Sequence, residues 1–203
     1  MLDTERARLF DPKREHVNLG ITEGGRVYNV TPVVWDSTAA AYNMRPPEIF
    51  IAPEDLSDTE IMDRIKSLTV RGFYIYAALE DYSFIGEMRE IWDLHIREGH
   101  NIRSLDFLSR LDDCLLLLLG NVTVDDMDVI LEVKGANRGF SVPFRYLGLY
   151  DCNIRTPLDF TDPKCHFTEL ILWSRPENKQ RDAELWSEVK ALKRFHYDIK
   201  PKG

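Results

Sequence analysis

From Glu48 onward the apolar positions follow two alternating rhythms. Ile49-Phe50-Ile51-Ala52 is a short apolar run with strand character. Ser57 and Glu60 then stand at capping-box spacing, and Ile61, Ile65 and Leu68 recur at helical intervals, with Gly72 placed to end that helix. Residues 73–79 read as the next strand. Phe84, Ile85, Met88, Ile91, Trp92 and Ile96 trace a second amphipathic helix, closed by Gly99. A short helix over residues 104–111 leads into residues 114–119, the most apolar run in the chain. A helix carrying Glu132 follows and ends near Gly139, and residues 141–146 are a further strand candidate. After Gly148 the alternation lapses. Residues 151–164 are loop-like, residues 166–173 read as a strand, and residues 181–195 as a helix with Leu185, Trp186, Val189, Leu192 and Phe195 on one face. In the first 47 residues, 27–35 have strand composition, with Pro32 confining them to an edge. No internal repeat is seen.

Strands alternating with helices imply βαβ units. The predicted fold class is therefore α/β: an open, mostly parallel sheet flanked by helices, flavodoxin-like and doubly wound. Residues 48–147 form its core within one domain. Residues 1–47 and 148–203 are N- and C-terminal extensions that dock on it.

Composition narrows the function classes. A chain of 203 residues with a net charge of -8 is a poor general binder of nucleic acid or anionic membranes. Free nucleotides remain compatible, because a local site can oppose the global charge. Cys114, Cys152 and Cys165 are an odd number without a Cys-x-x-Cys pair, which fits reduced thiols and a cytoplasmic setting. The polar first residues carry no signal peptide, and no apolar run approaches the length of a membrane span. His95 and His100 are badly spaced for a metal pair, and no Cys/His cluster has zinc spacing, so no metal and no organic cofactor is expected. Neither a Gly-x-Ser-x-Gly elbow nor a phosphate-binding glycine-rich loop occurs.

The segment Asp125-Asp126-Met127-Asp128-Val129-Ile130-Leu131-Glu132 follows directly on the most apolar strand. In open α/β sheets this is where a ligand sits. An ionised Glu132 beside a sugar could attack the anomeric carbon, with Gly135 and Ala136 leaving space above it. The bland alternative is a capped helix start with a solvated glutamate.

Several pieces together resemble the nucleoside 2-deoxyribosyltransferase-like superfamily and, more distantly, Toll/interleukin-receptor-type NAD-cleaving domains. They are Ile49-Phe50-Ile51-Ala52-Pro53, the run from Leu68 to Tyr76, the run from Leu111 to Leu119, the spacing Asp126-x5-Glu132-x3-Ala136, and Gly139-Phe140-Ser141-Val142-Pro143. The resemblance implies cleavage or transfer at an N-glycosidic bond of a nucleoside, nucleotide or NAD-like substrate. Glu132 would be the nucleophile and Asp126 the acid that orients the sugar. Ala52, Pro53, Tyr76 and Asp128 would line the substrate pocket. Met127, Asp128 and Val129 replace the small residues usual between the two acids, and Ala52-Pro53-Glu54 lacks the usual glycine. Those departures favour the alternative, a non-catalytic nucleotide-binding or protein-interaction module of the same fold.

Tyr74 and Tyr76 share one side of their strand. Trp35, Trp173 and Trp186 put aromatic weight outside the regular core, in segments suited to an interface or a homo-oligomer contact.

Overall fold

The computed structural model describes residues 17–25, 48–111, 114, 116–132, 146–165, 167, 169–186 and 194–197. Ten strands alternate with short helical segments: β1 (Val17–Ile21), β2 (Glu48–Ile51), β3 (Thr69–Ile75), β4 (Glu90–Ile96), β5 (Leu116–Gly120), β6 (Thr123–Asp126), β7 (Tyr146–Tyr150), β8 (Asn153–Thr156), β9 (Glu169–Trp173) and β10 (Arg194–Tyr197). Eight of them form one sheet in the order β2-β1-β3-β4-β5-β7-β9-β10, and β6 pairs with β8 in a small second sheet. Every pairing is parallel. The fold is thus α/β with an open parallel sheet. Its first five strands stand in the 2-1-3-4-5 order of flavodoxin-type sheets. From β3 onward the main-sheet strands all add in one direction.

The register explains the sheet. Ile49, Leu19, Phe73, Leu94, Leu117, Leu147 and Leu170 lie side by side across seven strands. Two residues on, Ile51, Ile21, Ile75, Ile96, Leu119, Leu149 and Leu172 make a second row. All fourteen side chains are at most 3% exposed. Because side chains alternate along a strand, residues two apart share a face, and this face is the core. A third apolar residue is buried three positions upstream of the first row at Val70, Ile91, Cys114 and Phe167. The pattern apolar-x-x-apolar-x-apolar therefore recurs every 20 to 30 residues or so, the period of stacked strand–turn repeats.

Helical segments cover the core. The α-helix α1 (Thr59–Ser67) buries Ile61 and Ile65, and Asp58 caps it by accepting from the amides of Glu60 and Ile61. Most other units use a single 3-10 turn: Ser83–Glu87, Asp106–Arg110 and Asp128–Glu132. These turns pack on one another and bring Phe84, Ile85, Phe107, Leu108 and Ile130 onto the sheet. The α-helix α2 (Lys179–Trp186) sets Trp186 edge-on against Phe160.

Several sequence expectations give way here. The amphipathic stretch from Phe84 to Ile96 is a 3-10 turn followed by β4, because Ile91, Leu94 and Ile96 fill the strand pattern. Gly72 lies inside β3 and ends no helix. Of the helix expected over 181–195, the described part is helical through Trp186, residues 187–193 lie outside the described residues, and Phe195 belongs to β10. An internal repeat is present. The extensions are integral to the sheet, since β1 sits between β2 and β3 while β9 and β10 continue the far side. Residues 27–35 lie outside the described residues. Among the described residues no helix is long and apolar enough to cross a membrane.

Neighbouring strands approach most closely at Gly120, where a Cβ would lie 2.7 Å from the Arg97 carbonyl oxygen and 3.2 Å from its Cα. Backbone cannot step aside as a side chain can. Gly120→Ala should cost about 1–3 kcal/mol in urea unfolding. A variant as stable as the parent would show that β4 and β5 do not approach as described.

Candidate functional site

The described residues among those singled out from the sequence sit on different elements. Ala52 and Pro53 follow β2 at the sheet edge, four strand spacings from β5, which is about 19 Å. Their turn is internally satisfied, because the Ala52 amide donates to Asp55 Oδ2 at 2.9 Å. Tyr76 follows β3, two strands short of β5. Asp126 ends β6 with an exposed side chain, and its Oδ1 accepts from the Asp128 amide at 2.9 Å. That is a local turn contact of the kind the bland alternative describes. Asp128 is also exposed. Met127, between the two acids, is wholly buried in the core. The backbone of Glu132 ends a five-residue 3-10 turn, so it does not lie two turns inside an α-helix. Its side chain, with Gly135, Ala136 and Gly139 to Pro143, lies outside the described residues.

The sheet face opposite the core carries the chemistry. On that face, β4 presents Asp93, His95 and, just past its end, Arg97. Tyr74 of β3 packs its ring against His95 with centroids 4.8 Å apart. Burial of the Asp93 carboxyl raises its pKa to about 7, with Arg71 opposing the shift. Burial lowers His95 to about 4, and the positive charge of Arg97 adds to that.

A row of larger residues runs along the C-terminal ends of the strands. Register places Tyr76, Arg97, Gly120, Tyr150 and Trp173 on successive strands β3, β4, β5, β7 and β9. Tyr76, Arg97, Tyr150 and Trp173 are all half-buried. The Arg97 guanidinium sits over the Tyr150 ring, 6.0 Å from its centroid. Arg97 Nε is shut off from solvent and has no hydrogen-bond partner. Burial raises the Tyr76 phenol above its usual pKa, and Arg97 opposes this.

The turns behind this row are rigid for identifiable reasons. Asn121 and Asp151, two residues past the second core row, both adopt left-handed backbone with φ of 57° and 51°. Asn121 Nδ2 donates to the Arg97 carbonyl at 3.0 Å. Asp151 accepts from Asn178 Nδ2 at 2.6 Å and pairs with Arg175 at 2.8 Å. Cys152 donates its thiol to the Leu119 carbonyl at 3.3 Å, and burial pushes its pKa up to about 11.

A cavity of about 330 Å³ opens between the turns after β3 and β4. Its polar groups serve those turns. Asp81 accepts from the amide and hydroxyl of Ser83, and both bonds lower its pKa. Tyr82 donates to the Glu98 carbonyl, and Asn101 donates to that of Leu79. Among the described residues no group of His, Cys, Asp and Glu is disposed to hold a metal, and all three cysteines are free.

Sequence reasoning passed over Arg97, Tyr150 and Asp93 and set His95 aside as a poor metal ligand. The available signal was their place at the intervening positions of the strand pattern. Comparison with protein-family models, with curated proteins and with solved structures finds no match to the chain.

Asp93 and His95 make a testable pair. A carboxyl raised from 3.8 stabilises the fold fully below pH about 4, and that stability is lost as pH rises towards 7. A histidine lowered from 6.5 does the opposite: its stability is present above pH 6.5 and is lost as pH falls towards 4. Across this window the two slopes offset. His95→Asn should therefore leave stability falling with rising pH by up to about 1.4 kcal/mol per unit, and Asp93→Asn should leave it rising. Urea unfolding at several pH values reads both slopes, and parallel profiles for all three proteins would refute the assignment.

Proposed function

We propose that the part of this chain from β3 onward is a short solenoid of leucine-rich-repeat type, and that the chain works as a protein-interaction module rather than as an enzyme. One observation carries the reading: the half-buried row Tyr76, Arg97, Tyr150 and Trp173, which repetition of one strand unit sets at regular spacing on the sheet face away from the core. Stacked repeats build an extended surface of this kind, and binding is its usual use. The segment Leu147-x-Leu149-x-x-Cys152-x-Ile154 fits the unit directly, with its thiol bonded to the backbone of the preceding unit.

The composition of the row supports a protein partner. Tyrosine, tryptophan and arginine dominate the energetics of protein interfaces, because they bring large area and a polar handle at low entropic cost. From Tyr76 to Trp173 the row crosses four strand spacings, about 19 Å, enough for five or six extended residues of a partner.

Panning the full chain against a displayed library of random heptapeptides tests the reading. A selected peptide should lose at least tenfold in affinity on Trp173→Ala, about 1.4 kcal/mol or more, with the melting temperature little changed. Arg64→Gln, on the exposed part of α1, should leave affinity unchanged. Failure to select any peptide, or binding indifferent to both Trp173 and Tyr150, would sink the proposal.

A further inference from the structure

We infer that Arg97 is the specificity anchor of this face, and that the partner segment docking there presents an aspartate or glutamate side chain to its guanidinium. The inference deepens the protein-interaction reading and rests on it. A cation withdrawn from water is stable only when a countercharge or hydrogen bonds replace the lost hydration. Arg97 lacks both. Among the described residues no carboxylate pairs with it, its Nε has no acceptor, and the Tyr150 ring at 6.0 Å is its one close electrostatic partner. The neighbouring acids are spoken for. Glu98 pairs with His100 at 2.9 Å, and Asp151 with Arg175 at 2.8 Å.

The surroundings of Arg97 add to the mismatch. His95, on the same strand and face, is held neutral through pH 5–7, and the Tyr76 phenol stays protonated. Neither provides negative charge. Tyr76 on one side and Tyr150 and Trp173 on the other give the row ring surface around it. A carboxylate set end-on against the two terminal nitrogens would form paired charge-assisted hydrogen bonds, with the rings covering its apolar neighbours. The net charge of -8 favours an isolated carboxylate over a polyanion, since a phosphate-rich chain would meet repulsion everywhere else on the surface.

The test extends the peptide selection to Arg97→Gln and Arg97→Lys, each checked for an unchanged circular dichroism spectrum and melting temperature. On the parent chain the selected heptapeptides should share an acidic residue at one fixed position beside apolar ones. Arg97→Gln should abolish that preference, and Arg97→Lys should retain it in weaker form. Replacing the peptide's acid by its amide should cost tenfold or more on the parent and little on Arg97→Gln, a coupling that a structural role for Arg97 would not produce. Peptides that depend on Trp173 but carry no fixed acid would overturn this inference and leave the interaction reading standing. Loss of all Trp173-dependent binding would overturn both. Arg97-dependent binding of a single-stranded oligonucleotide would overturn the choice of a carboxylate partner.

Discussion

Everything in this fold depends on two apolar rows staying in register across the parallel sheet. Fourteen side chains, almost all leucine or isoleucine, meet their counterparts strand by strand with at most 3% exposure. A slip of one residue in any strand would turn its pair outward and draw polar neighbours inward, so the rows fix the register of each addition. Once the register is fixed, the rest follows locally. Each chain reversal needs only a tight turn and a few 3-10 residues to reach the next strand, which is why the described crossovers carry so little α-helix. The close approach at Gly120 and the left-handed turns at Asn121 and Asp151 are consequences of stacking units this tightly.

The same register that builds the core also builds the opposite face. Since side chains alternate, whatever occupies the positions between the core rows is set out as rows of its own. The face therefore presents patterns that no short stretch of sequence contains: Tyr76 and Trp173 share one row although 97 positions separate their numbers. A surface assembled this way is stiff, because each of its residues follows a core residue at or just past the end of a strand bonded to its neighbours. That stiffness lowers the cost of ordering on binding and suits the face to recognition.

Much of the architecture was legible in the sequence. The parallel sheet, the strands near Ile49, Phe73 and Leu117, the helix carrying Ile61 and Ile65 and the strand ending at Trp173 all follow from apolar spacing, although the cap of that helix is Asp58 and not the expected Ser57. The stretch from Phe84 to Ile96 misled for a physical reason. A 3-10 turn with two inward residues, followed closely by apolar-x-x-apolar-x-apolar, gives nearly the same spacing as an amphipathic helix. The repeat escaped notice because its units differ in length and its variable parts lie in the turns. The acids at 126, 128 and 132 stand out because they follow the greasiest strand, yet Asp126 is occupied with its own turn, and Ala52 follows the edge strand β2, with three strands between β2 and β5.

The candidate site was hidden for a different reason. Arg97, Tyr150 and Trp173 are ordinary residues in their own segments, each flanked by better helix or strand signals. What distinguishes them is relative position, and position follows only once the strand order is known. Arg97 illustrates the step from geometry to chemistry. In an exposed loop an arginine needs no explanation, since water satisfies it. Beside a buried, neutral histidine and over a tyrosine ring, with Nε closed off and no acid paired with it among the described residues, the same side chain is incompletely compensated. Folding tolerates it because the two leucine-rich rows stabilise the sheet independently of what the other face carries. A binding surface can then hold an uncompensated charge until a partner compensates it, and the partner that does so most completely is the one the surface selects.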